Sequence, residues 1–77
     1  MIREEILKAF SLHLRHLRAE KKMSQQQLAD EADISKRAVQ KIENGKQNPS
    51  LTVLIALASA LDTSLCSLVT YLPKKTE

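Results

Sequence analysis

Residues 24–61, SQQQLADEADISKRAVQKIENGKQNPSLTVLIALASAL, hold three short helical patterns punctuated by turn signals. Ser24 is followed three residues later by Gln27, the spacing of a capping box, and the helix it opens carries Leu28, Ala29 and Ala32 on its inward side. Asp33 and Ile34 interrupt that pattern. Ser35 is a second N-cap, and its helix turns Val39 and Ile42 inward before stopping at Asn44 and Gly45, where Gly supplies a left-handed C-terminal turn. Asn48-Pro49 predicts a further helix, with Asn48 as cap and Pro49 in the first helical position, running to about Leu61.

Upstream, Ile6, Phe10, Leu14 and Leu17 recur at steps of three and four, which places them on one face of a helix spanning Ile2 to Lys22. Glu4 and Glu5 at its start and Lys21 and Lys22 at its end suit the helix dipole. Downstream, Ser64 caps a fifth helix that ends before Pro73. Composition agrees, because one Gly, two Pro and 3% aromatics in 77 residues support no turn-rich β fold. The expectation is an all-α, five-helix domain over residues 1–72, with a frayed tail at 73–77. No repeat or low-complexity linker argues for a second domain.

A chain this short buries only about 60% of its unfolded surface, so dimerisation would add needed stability. Cys66 is the one cysteine, so no intramolecular disulfide can form, and its Leu65 and Leu68 neighbours mark it as a buried apolar filler. The N-terminal MIREEILKAF breaks its apolar residues with charges, which fits neither a signal peptide nor a membrane span, and a cytoplasmic location is expected. The formal net charge of +3 is compatible with nucleic acid but does not establish it.

The third helix carries the functional signal. Lys36, Arg37, Gln40, Lys41 and Asn44 are related by steps of three and four and form one exposed face opposite Val39 and Ile42. Lys36 and Arg37 sit in the first turn, where the positive dipole end disfavours cations by a few tenths of a kcal/mol each. A local rule broken without structural gain points to a site, and cations beside free N–H groups at a helix start suit an anionic backbone. A solvated charged face is the competing explanation of charge alone.

The quoted stretch resembles the helix-turn-helix of the Cro/repressor-type family, found in phage repressors, restriction-modification controller proteins and many small bacterial regulators. The resemblance runs from about Leu14 to Leu65. It rests on Ser24-Gln25 with Leu28-Ala29, on Val39, on Ile42-Glu43-Asn44-Gly45, on Asn48-Pro49-Ser50, and on Leu54 with Ala58 and Leu61. It implies a lambda-repressor-like domain in which helices 2 and 3 form the helix-turn-helix. Residues 35–44 would then enter the major groove of double-stranded DNA, with Lys36, Arg37, Gln40 and Lys41 contacting bases. Arg favours guanine O6 and N7, and Gln favours adenine N6 and N7. Gln25, Ser35, Asn44 and Lys46 occupy the family's phosphate-contacting positions, and Gln25 can also brace a recognition-helix side chain. Arg18 and Glu43 match a salt bridge tying the first helix to the end of the third in some members. Asp33 and Asp62 stand where the family commonly has Gly; Asp tolerates the left-handed conformation better than most residues.

Other constellations weigh less. His13 and His16 could share a metal, but nothing completes a site. No nucleophile elbow, phosphate loop or catalytic acid pair supports an enzyme, and no cofactor is implied. Asp30, Glu31 and Asp33 could contact RNA polymerase in an activator, against the more common reading of a solvated cluster. The rival class is an antitoxin or protein-interaction adaptor using the same helices. The fourth helix is apolar almost all round, and a small domain cannot cover it alone. Val53, Ile55 and Ala56 await a cover, either the N-terminal turns through Ile2 and Leu7 or a second subunit. The subunit is favoured, with Leu68, Val69 and Leu72 contributing, because a twofold homodimer sets two recognition helices about 34 Å apart on a near-palindromic operator.

Overall fold

In a computed structural model, residues 3–70 are described. They form α1 (Arg3–Glu20), α2 (Gln25–Ala32), α3 (Lys36–Glu43), α4 (Leu51–Ala60) and α5 (Leu65–Val69), with no strand among the described residues. The all-α, five-helix expectation holds. Leu72 and the 73–77 tail lie outside the described residues, as does Ile2.

Four of the helices begin on a serine whose Oγ accepts an N–H three residues on. Ser24 takes Gln27 N at 3.0 Å, Ser35 takes Ala38 N at 3.0 Å, Ser50 takes Val53 N at 3.2 Å and Ser64 takes Ser67 N at 2.9 Å. Each satisfies one of the donors that a helix start leaves without an intrahelical partner. At Ser24 the box closes, because the Gln27 Oε1 accepts the Ser24 N–H at 2.7 Å. The fourth helix corrects the sequence expectation: its cap is Ser50 rather than Asn48, and Pro49 precedes it. A hydroxyl that reaches the Val53 N–H outcompetes the proline position as the start, and Pro49, lacking an N–H, loses nothing outside the helix.

The first four helices also share one ending. Lys22, Asp33, Gly45 and Asp62 take φ of 56°, 58°, 70° and 54°, and the next residue's N–H reaches back five positions in each case. These bonds are Met23 to Arg18 O, Ile34 to Ala29 O, Lys46 to Lys41 O and Thr63 to Ala58 O, at 2.9–3.1 Å. The left-handed Lys22 ends α1 at Glu20, two residues before the expected boundary. At Gly45 an added Cβ would meet nothing closer than Lys8 Cα at 3.8 Å, so the backbone angle is what favours glycine there.

The core lies where α1, α2, α3, α4 and α5 converge on Leu14, Leu28, Val39, Ile42, Leu57, Leu61 and Leu68, each 0–1% exposed. α2 packs on α3 and α4, and α1 on α3 and α5. Two sequence expectations change. Leu68 is buried inside the monomer and cannot serve a partner surface; Cys66, expected inside, is exposed. A five-residue helix has one inward stripe, and α5 gives it to Leu68 with Leu65 and Val69 partly covered, leaving Cys66 outside. Ile6, Leu7 and Phe10 of α1 line an apolar cleft with Pro49, Leu54 and Val69, and none of Val53, Ile55 or Ala56 borders it.

Candidate nucleic-acid interface

α2 and α3 pack against each other on either side of the turn at Asp33-Ile34, and α3 turns Val39, Ile42 and Glu43 inward. The opposite side carries Lys36, Arg37, Gln40, Lys41 and the capping Asn44, all exposed. Among the hydrogen bonds and ion pairs of the described residues, none engages the side chains of Lys36, Arg37, Gln40 or Lys41. Four long donors therefore stand uncommitted on one surface. The one acid of α3, Glu43, is only 1% exposed.

Glu43 explains how that surface stays free of negative charge. Arg18 Nε lies 2.6 Å from its Oε2 and Arg18 Nη2 lies 3.1 Å from its Oε1, a side-on, two-point pair. Gln25 Nε2 adds a third donor to Oε1 at 3.0 Å, and Arg18 Nη1 donates to Met23 O at 2.8 Å. A buried carboxylate is tolerable only when its charge and its lone pairs are met in this way. The pair locks the end of α3 to α1 and, through Gln25, to the start of α2.

The four phosphate-contact candidates each keep a donor. Gln25 is half-buried and spends one amide proton on Glu43; the NH₂ group has a second. Ser35 Oγ accepts from Ala38, which leaves its hydroxyl proton available. Asn44 Oδ1 accepts from Arg15 Nη2 at 2.9 Å, and Lys46 is exposed. Arg15 was not singled out from the sequence, yet its Nε also donates to the Glu43 carbonyl at 3.0 Å. Its partners lie 28 and 29 positions away, so the available hint was weak: three residues before Arg18, it shares the same face of α1.

The remaining expectations are distributed more widely. Val53 and Ala56 are half-buried against the core, Val69 borders the α1 cleft, and Ile55 is 51% exposed. Leu51, one turn before Ile55, is 63% exposed and had not been singled out for the interface. His13 Nε2 lies 3.2 Å from Ser67 O, joining α1 to α5, whereas His16 pairs with Glu20 at 3.1 Å. The described residues contain no group of three His, Cys, Asp or Glu able to hold a metal, and no helix among them is long and apolar enough to cross a membrane.

A capped pair of helices around a left-handed turn, with the second helix presenting a basic, acid-free face, defines a helix-turn-helix domain. The chain belongs to the helix-turn-helix family, whose profile matches residues 14–68. Over 56 residues it is 38% identical to an immunity repressor protein of Bacillus phage phi105, covering 73% of this chain and 39% of the repressor. The chain thus spans well under half the length of that relative. The restriction-modification controller protein C.AhdI of Aeromonas hydrophila is 37% identical, with a TM-score of 0.79 over 80% of this chain and 94% of the controller. A helix-turn-helix transcriptional regulator from Vibrio cholerae shares the fold at a TM-score of 0.84 and 23% identity, over 90% of this chain and 39% of the regulator.

Proposed function

We propose that the chain is a sequence-specific, duplex-DNA-binding transcriptional regulator that acts as a homodimer in the cytoplasm without a cofactor. The observation carrying this reading is the outer face of α3, where Lys36, Arg37, Gln40 and Lys41 are exposed and uncommitted while the helix's only acid is buried against Arg18. α3 enters the major groove, and these four side chains reach base edges. Gln25, Ser35, Asn44 and Lys46 hold the phosphate backbone on either side, which sets register without reading sequence. Glu43, unpaired and facing DNA, would repel it; its bridge to Arg18 removes that repulsion. The kinship with a phage immunity repressor and a restriction-modification controller supports regulation of transcription as the outcome.

A second subunit binds over α4, where Leu51 and Ile55, four residues apart on one face, form an exposed apolar ridge, while Val53 and Ala56 project from other sides of the helix. Twofold symmetry then pairs two α3 helices about one DNA turn apart, and the operator is a near-palindrome. Asp30, Glu31 and Asp33 make an exposed acidic edge beside α3, the surface offered to RNA polymerase if the regulator activates.

The test is a salt titration of affinity for a random-sequence duplex. The wild type should lose affinity steeply as salt rises, through counterion release from each neutralised phosphate. Lys46→Ala should weaken random and preferred DNA alike and make the slope shallower by about one. A flat salt response with affinity for a protein partner instead would favour the adaptor class.

A further inference from the structure

Arg15 bridges two acceptors at the C-terminal end of α3: its Nε donates to the Glu43 carbonyl at 3.0 Å and its Nη2 to Asn44 Oδ1 at 2.9 Å. The first bond satisfies one of the carbonyls that a helix end leaves open, at the negative end of its dipole. That bond alone would make Arg15 a structural cap. The second bond has a different consequence, which follows from the chemistry of the two groups. A guanidinium has donors only, so it can face just one end of an amide, the oxygen. Holding Oδ1 leaves Nδ2 as the outer end of an exposed side chain, and no hydrogen bond among the described residues uses it. Turned the other way, Asn44 would present a carbonyl oxygen outward and repel a phosphate.

We infer that Arg15 is a positioning residue for DNA binding: it fixes the Asn44 side chain with its NH₂ outward, as a donor to a backbone phosphate. This rests on the duplex-DNA reading above and deepens it, since it assigns a role on α1 outside the helix-turn-helix. α1 is placed to serve because it packs along α3, with Lys8 Cα only 3.8 Å from where a Cβ on Gly45 would lie. The pre-set amide spares the rotamer ordering that binding would otherwise require.

The experiment is a double-mutant cycle between Arg15→Ala and Asn44→Ala, read as affinity for a random-sequence DNA duplex across a salt series. Unfolding curves for every variant confirm that binding is compared between folded proteins. Each single substitution should lower affinity on the order of tenfold, the weight of one hydrogen bond to a charged group, and the double variant should fall no further than either alone. The salt slope should stay at its wild-type value, because neither loss removes a cation from a phosphate. Arg15→Lys keeps the charge but not the planar fork, and should recover only part of the affinity.

A slope shallower by about one in Arg15→Ala would make Arg15 a phosphate contact itself and overturn the assignment. Additive losses, full recovery by Arg15→Lys, or a fall in stability with affinity unchanged would overturn it as well. Absence of salt-dependent duplex binding by the wild type would defeat the DNA reading and this assignment together; binding by the wild type without coupling defeats the assignment alone.

Discussion

Arg18→Ala is expected to lower the unfolding free energy by about 3 kcal/mol or more, a large share of what holds a small domain together. The reason is where the remaining charge is left. Glu43 is 1% exposed and keeps only the Gln25 amide as a side-chain partner, so its carboxylate stays stranded away from water. Glu43→Ala should cost less. The Arg18 side chain is 21% exposed and retains the Met23 carbonyl, so its guanidinium can swing outward to solvent. Denaturant titration of both variants and the double substitution should show Arg18→Ala as the worst single change, with coupling above about 1 kcal/mol. Equal small losses and no coupling would mean that the bridge contributes nothing to the fold.

Ile55→Asp is expected to separate assembly from folding. Ile55 is half exposed and sits one turn beyond the still more exposed Leu51, so a charge there meets water in the monomer and apolar surface only in a dimer. Helicity should survive. Full-operator affinity should fall by roughly two to four powers of ten, because two linked recognition helices gain effective concentration that a single one lacks. Sedimentation should give a wild-type dimer and a monomeric variant. A wild type that sediments as a monomer at micromolar concentration, with undiminished DNA binding by the variant, would remove the homodimer from the proposal.

The helices were legible from sequence wherever the deciding interaction is local. Ser24, Ser35 and Ser64 announce starts because a cap reaches only three residues along, and Gly45 announces an end because it needs no distant partner. The fourth start was misplaced by two residues because Asn48-Pro49 and Ser50 both carry start signals, and only geometry shows which side chain meets an N–H. Helix phase in α5 was illegible: five residues are too few for a period to emerge, so the burial of Leu68 and the exposure of Cys66 are decided by what α1 and α4 bring to them. The basic face of α3 could be read from spacing, since its members lie within nine residues. Arg15 could not, because a solvated cation and a cation bonded to a carbonyl across the fold have the same sequence. The pairing of Arg18 with Glu43 likewise spans 25 positions, so family resemblance implies it while no pattern in the chain does.

The claim that α3 reads base sequence is tested most directly by Arg37, which stands exposed in its first turn with no partner among the described residues. DNA fragments selected by the purified wild-type protein supply the preferred site, and the affinities of wild type and Arg37→Ala are then measured on that site and on random duplex at one salt concentration. Loss of a base contact should cost about 1–3 kcal/mol on the selected site and markedly less on random DNA, so that the ratio between the two collapses. Equal losses on both DNAs would move Arg37 to the phosphate backbone, and a wild type that selects no common sequence would contradict sequence reading by α3 altogether.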